Sequence, residues 1–187
     1  MTSALRILDH LIDEANAARA HFQVWWALRN LALPEYYNTM NDPKIVQFFH
    51  ASNSGHYKLI FVALGKIYDS DTRSAGVAEL KKTLRAEGRD DLADKLEEDL
   101  SAVTSLVQRI LGIRNRTVLH NEHAIDRKKV YEINGIKANE IWQLIDTTSD
   151  AINSVAQALR HPFRVSASRP YEAATLAMLE QLHRREA

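Results

Sequence analysis

A long helical pattern begins near Asp90 and ends in the stretch Ile113-Arg114-Asn115-Arg116-Thr117-Val118-Leu119-His120-Asn121-Glu122. Apolar residues precede this stretch at alternating steps of four and three, the spacing of one helix face turned toward a core: Leu96, Leu100, Val103, Val107 and Ile110. Arg114 takes the next position on that face. An unpaired guanidinium inside a core is strongly unfavourable. We therefore expect either that Arg114 is paired or that the core opens there into a cleft.

His120 follows Arg114 by six residues. On an ideal helix this spacing places the two residues about 9 Å apart along the axis and rotates their side chains about 120° apart. One straight helix therefore does not aim both side chains at a single point. A bend, a frayed helix end or a second subunit is needed to bring them together.

The composition limits the classes of function. The chain has 187 residues, 24 Lys and Arg against 24 Asp and Glu, and no cysteine. Zero net charge argues against extensive coating of duplex nucleic acid but is compatible with a local basic cleft. The absence of cysteine excludes disulfides and thiol catalysis. The N-terminus does not have the pattern of a signal peptide, and no apolar run approaches the ~18 residues of a membrane span. We expect a cytoplasmic protein without a membrane segment.

Apolar periodicity and helix-end signals predict an all-α fold, an up-and-down helical bundle of about five to six helices. The predicted helices cover residues 3–32, 42–68, 74–87, 90–120, 139–160 and 170–185. Residues 124–138 lack a helical stripe and alternate around Asn134-Gly135, which predicts a short irregular or hairpin insertion. The domain prediction is a helical bundle over 1–162, followed by a C-terminal helix within 163–187 that packs on the bundle or on a partner subunit.

Two polar side chains, Ser52 and His56, interrupt the apolar stripe of the second predicted helix, with Gly55 between them. One interpretation is a satisfied interior hydrogen bond or a close helix crossing at the glycine. The other is that this face lines the same cleft as Arg114, which would make His56 a substrate-binding residue.

Pairs of potential metal ligands have helical spacing at two places. His10 and Glu14 lie one turn apart, as do His120 and His123, but neither pair has a third ligand at a recognisable spacing. We predict no metal site and no cofactor.

The spacing from Arg114 and Asn115 to His120 resembles the motif of the HEPN superfamily (higher eukaryotes and prokaryotes nucleotide-binding domains). The run from Phe48 to Leu84, a helix, an Asp-Ser-Asp-Thr-Arg-Ser loop and a second short helix, is similar to the abortive-infection AbiU-like branch. The resemblance covers most of the chain. It implies a helical fold and a ribonuclease that acts as a toxin or antiphage effector, generally as a dimer whose motifs meet across the interface.

The motif residues suit metal-independent cleavage of RNA. His120 can move a proton near neutral pH, and Arg114 can hold the phosphoryl oxygens while the ribose 2′-hydroxyl attacks its own phosphate. Asn115 would orient His120 or the scissile phosphate, and Arg116 would add a phosphate contact in substrate binding. DNA lacks the attacking hydroxyl, so the mechanism predicts RNA specificity.

Three interpretations stay open from the sequence. The first is a metal-independent endoribonuclease of a toxin–antitoxin or antiphage defence system, with RNA as substrate, a homodimeric assembly and an antitoxin protein as a further partner. The second is a catalytically inactive HEPN-type module that binds nucleotide, RNA or a protein partner. In the third, Arg114 pairs with a carboxylate of a neighbouring helix and His120 only caps a helix C-terminus.

Overall fold

The computed structural model describes residues 3–71, 73–115 and 135–186, and every regular element within these ranges is helical. The elements are α1 (Ser3–Trp26), which continues into a π-helical turn (Ala27–Leu31), α2 (Tyr36–Met40), α3 (Val46–Ile67), α4 (Val77–Ala86), α5 (Asp90–Ser101), α6 (Thr104–Ile113), α7 (Ala138–Ala158) and α8 (Pro170–Glu186). The all-α prediction is confirmed. Within the same ranges, no helix has both the length and the apolar character needed to cross a membrane.

Two differences from the predicted helices raise the helix count above five to six. The short helix α2 lies where an irregular connection was expected. The helix predicted over 90–120 is divided into α5 and α6 where the structure describes it, and its last positions, 116–120, lie outside the described residues. The short irregular or hairpin insertion predicted near 124–138 lies at 124–134 outside the described residues. Of its last positions, 135–137 are irregular and Ala138 begins α7.

The break between α5 and α6 has a local cause. The Ser101 hydroxyl donates to the Glu98 carbonyl at 2.7 Å, and the Thr104 hydroxyl donates to the Ser101 carbonyl at 3.0 Å. Such side-chain bonds compete with the helical backbone ladder, which explains why the helix ends at Ser101 and restarts at Thr104. Val103, between the two helices, remains fully buried.

The restart changes which residues of α6 face the core. The buried positions are Leu106, Ile110 and Ile113, whereas Val107 is half-buried. Arg114 therefore lies beside the last core residue and not in the middle of the apolar face, and its side chain is 15% exposed.

The chain divides into two compact units. The first comprises Met1–Ala18 and Phe61–Ser166. In it α5 packs against α4 and α7, and α6 packs against α7. The fully buried side chains of this unit include Leu8, Leu64, Leu80, Leu84, Leu96, Ile110, Ile113 and Ile152. This unit contains Arg114.

The second unit comprises Arg19–Ile60 and Ala167–Ala187. Its core cluster consists of Leu28, Ala32, Tyr36, Phe49 and Leu179. The buried Gln23 side chain accepts backbone hydrogen bonds from Tyr171 and Glu172 and so satisfies free N–H groups in the first turn of α8. Helix α8 packs against α2 and the π-helical turn of its own chain. The division into 1–162 and 163–187 stays a prediction.

Candidate functional site

Arg114 lies at the C-terminal end of α6, where the helix widens into a π-helical turn formed by Arg114 and Asn115. Its Nη1 donates to the Gly65 carbonyl at 2.8 Å, and its Nε donates to the Asn115 side-chain oxygen at 2.9 Å. The Asp69 carboxylate lies 3.6 Å from Nη1. Of the two expectations for Arg114, pairing or a cleft, the structure shows pairing. The partners are a carbonyl, an amide and a carboxylate. Among the described residues, none accepts a hydrogen bond from Nη2.

Gly65 makes room for this arginine. A Cβ atom at position 65 would lie 2.2 Å from Arg114 Cδ and 2.8 Å from Nη1, far inside van der Waals contact. Only a residue without a side chain lets the guanidinium reach the α3 backbone here. Sequence reasoning missed Gly65, although a glycine inside a helix lowers helix stability by about 1 kcal/mol and can therefore indicate a close approach.

Asp69 is placed by the loop that follows α3. One of its carboxylate oxygens accepts the Asp71 N–H at 3.0 Å, which orders the start of the loop. Gly76, the N-cap of α4, closes the loop from the other side, because a Cβ there would lie 2.7 Å from the Asp69 carbonyl oxygen. Asp69 was also missed from the sequence, since nothing in the spacing of the loop indicates that its carboxylate turns toward α6.

Asn115 is exposed, and its amide oxygen is the acceptor for Arg114 Nε. The contact orients the guanidinium. The predicted role of Asn115 toward His120 or the phosphate stays a prediction. His120 and Arg116, the other motif residues, lie outside the described residues.

His56 belongs to the second compact unit and faces another histidine. Its Nδ1 lies 3.0 Å from Nδ1 of His21, and the ring centroids are 5.1 Å apart. One nitrogen must donate and the other accept, so this contact requires at least one neutral ring. Burial lowers the pKa of His56 from its usual 6.5, which favours the neutral form.

The interior hydrogen bond expected at the polar interruption of α3 is therefore present, whereas the close helix crossing expected at Gly55 is not. No described atom lies within 4 Å of a Cβ built at Gly55. The close approach along α3 occurs at Gly65 instead. The substrate-binding role of His56 stays a prediction.

Of the candidate metal ligands of the sequence, Glu14 has another contact in the structure. Glu14 accepts a hydrogen bond from Lys66 Nζ at 2.7 Å. Within 3–71, 73–115 and 135–186, no three histidine or acidic side chains are grouped closely enough to hold a metal ion.

Comparison with known proteins identifies the class. The helical fold is that of a HEPN domain, and within that class the AbiU2 family matches residues 1–175. The chain belongs to the AbiU2 family of HEPN domains. No curated protein and no solved structure matches the chain. Family membership indicates an RNase-type or defence-associated module.

Proposed function

We propose that this AbiU2-family protein is a metal-independent endoribonuclease of a toxin–antitoxin or antiphage defence system. In this proposal it acts in the cytoplasm as a homodimer and is held in check by an antitoxin protein. Family membership supports the class of protein. The observation that carries the specific proposal is the way Arg114 is held.

The guanidinium is fixed before any ligand binds. The Gly65 carbonyl and the Asn115 amide occupy Nη1 and Nε, while no described residue accepts from Nη2. A preorganised donor stabilises developing negative charge without reorganisation, which is the main contribution that a protein makes to phosphoryl chemistry. Nη2 is the group we assign to the phosphate.

The reaction then needs only a proton carrier in addition to the arginine. The 2′-hydroxyl oxygen of the substrate attacks the adjacent phosphorus, and the bond to the 5′-oxygen of the next nucleotide breaks. The products are a 2′,3′-cyclic phosphate and a free 5′-hydroxyl. His120 accepts the 2′-hydroxyl proton or donates a proton to the leaving oxygen, and Arg116 adds a phosphate contact.

A dimer removes the difficulty set by the spacing of the motif. On an ideal helix, six residues would separate Arg114 and His120 in angle, whereas a twofold axis allows the arginine of one subunit and the histidine of the other to serve one phosphate.

The second candidate function, a non-catalytic module that binds nucleotide, RNA or a protein partner, is favoured by Asp69. Its carboxylate lies 3.6 Å from Arg114 Nη1 and offsets part of the charge that a phosphate would meet. A binding module can use an arginine whose charge is partly offset in this way. In a nuclease, the phosphate must compete with Asp69 for the guanidinium.

Incubation of the purified protein with RNA in EDTA tests the proposal. We expect fragments that end in a 2′,3′-cyclic phosphate, and no cleavage of DNA or of RNA methylated at the 2′-oxygen. His120→Ala should lower the rate by about 10²–10⁴-fold, the usual contribution of a general acid or base. Arg114→Lys keeps the charge but loses the planar fork, so it should retain part of the rate that Arg114→Ala loses.

Two matched variants control for non-specific effects. Arg73 is exposed in the loop after α3, and His50 is exposed on α3. Arg73→Ala and His50→Ala should cleave like the wild type. Absence of cleavage by the wild-type dimer, or cleavage that His120→Ala leaves unchanged, would overturn the nuclease and favour the binding module.

A further inference from the structure

A cavity of about 320 Å³ lies beside the Arg114 site, within the first compact unit. Its walls come from the first half of α1, the end of α3 and the following loop. Asp69 belongs both to this wall and to the contacts of Arg114. The volume is at the small end of ligand pockets, which fits one nucleoside better than a large ligand.

The lining combines apolar walls with unused hydrogen-bonding capacity. Leu11 and Ile67 are buried aliphatic residues, and Ala75 adds a small apolar side chain. The Ser74 hydroxyl is buried and has no hydrogen-bond partner among the described residues. Single-stranded RNA is recognised by packing the faces of unstacked bases on protein side chains and by hydrogen bonding at their edges. The cavity offers both.

The charges of the lining favour a neutral base over a phosphate. The cavity wall carries Lys66 and the carboxylates of Glu14 and Asp69. Lys66 Nζ lies 2.7 Å from Glu14, and Asp69 faces Arg114. Lys66 is thus engaged by Glu14 and Arg114 lies against Asp69, so apart from the His10 ring the lining offers no cation that is left over for an anion. The phosphate is therefore expected at Arg114 and the base in the cavity.

A carboxylate accepts hydrogen bonds at two adjacent oxygens, so it matches a base edge that has two adjacent donors. Guanine has this edge, formed by N1–H and the N2 amino group. Adenine and cytosine place an amino group next to an acceptor nitrogen, and uracil has one N–H between two carbonyls. Of the two carboxylates, Glu14 is the one without an arginine contact, since its described partner is the largely exposed Lys66.

We propose that this cavity binds the guanine base of the nucleotide whose phosphate contacts Arg114, an inference that rests on the proposed nuclease function. Glu14 accepts hydrogen bonds from N1–H and the N2 amino group, and the Ser74 hydroxyl contacts another polar atom of the base. Cleavage then occurs preferentially at guanosine.

Direct binding to the full-length protein tests the cavity apart from catalysis. By calorimetry, guanosine should bind more tightly than adenosine, cytidine or uridine. Glu14→Gln should weaken guanosine binding about 5- to 150-fold, the range for loss of a bidentate contact to a base. Glu98→Gln is the matched control, because Glu98 is exposed on α5 away from the cavity lining, and it should leave binding unchanged.

Ser74→Ala separates ligand binding from folding. The variant removes a buried hydroxyl without a described partner, so the free energy of unfolding should not fall, while guanosine binding should weaken. Guanosine monophosphate should bind more tightly than guanosine in the wild type, and Arg114→Ala should remove that advantage.

Equal binding of the four nucleosides, or unchanged binding by Glu14→Gln, would overturn the guanine site whatever the RNA assay gives. Guanosine binding through Glu14 in a protein that cuts no RNA would overturn the nuclease instead. Loss of guanosine preference at the cleavage site in Glu14→Gln, with cleavage retained, would support both.

Discussion

Arg114 and His56 both interrupt an apolar helical stripe, and the molecule accommodates them in different ways. Arg114 is surrounded by acceptors: a carbonyl, an amide oxygen and a carboxylate. His56 faces another imidazole, which can act as donor or acceptor. Both satisfy the requirement that buried polar groups be hydrogen-bonded, but only the first arrangement keeps a full charge.

The different surroundings of Arg114 and His56 show which of the two can bind an anion as a cation at neutral pH. A guanidinium stays protonated in any protein environment, so Arg114 presents a cation wherever it is held. His56 has a lowered pKa and a contact that needs a neutral ring, so near neutral pH it serves as a neutral hydrogen-bonding group. The same sequence signal, a polar residue on an apolar face, thus indicates two kinds of chemistry.

The largest expected effect comes from the two glycines of α3. Gly65→Ala should destabilise the protein by about 1 kcal/mol, because its Cβ would displace the Arg114 side chain and break the hydrogen bond to the Gly65 carbonyl, a loss that exceeds the gain in helix propensity. Gly55→Ala, beside His56, should stabilise it by about 0.5–1 kcal/mol, because alanine has the higher helix propensity and its Cβ meets no described atom. Urea unfolding measures both values.

A double variant identifies the cause. If Gly65 is needed to make room for Arg114, Gly65→Ala should lower the free energy of unfolding much less in a protein that also carries Arg114→Ala. An equal penalty in both backgrounds would show that position 65 serves the helix and not the arginine.

A smaller effect is expected from His56 at acidic pH. Because its pKa is lower in the folded protein, the unfolded chain binds more protons below pH 6.5, and stability should fall as the pH decreases through that value. His56→Gln should reduce this dependence, while His50→Gln, at an exposed position of the same helix, should not. Unfolding midpoints at pH 7.5 and 5.5 test this, and identical pH dependence in the wild type and His56→Gln would count against it.

The smallest effect is expected at alkaline pH, next to the Arg114 site. Burial raises the pKa of Tyr68 to about 12, and its hydroxyl lies 2.5 Å from the Thr148 hydroxyl. The folded protein therefore retains this proton while the unfolded chain loses it, and the stability contributed here should decline as pH rises from 10 toward 12.

In an absorbance titration of the folded protein, Tyr68 should ionise late, at a pH of about 12. Tyr68→Phe should remove that late step and leave the others. A wild-type titration without this late step would contradict the burial of this phenol.

The presence of the longer helices and the unusual position of Arg114 on an apolar face were predictable, because both follow from the local spacing of apolar residues. The partners of Arg114 were not, because the Gly65 carbonyl is 49 residues away in sequence and no periodicity encodes that approach. The break after Ser101 escaped prediction because apolar residues keep a helical spacing across it in the sequence, while two hydroxyl contacts mark it in the structure. Helix α2, with five residues, is too short to show a period.

The widened turn at Arg114 and Asn115 affects how the motif should be counted. A π-helical turn closes its ring one residue later than an α-helical turn, so each residue advances the chain by a smaller angle. A helical wheel drawn at 100° per residue accumulates a phase error from this point onward. The number of residues between the arginine and the histidine therefore does not fix the angle between the two side chains. Two motifs with different numbers of intervening residues can be equivalent if their helices widen by different amounts.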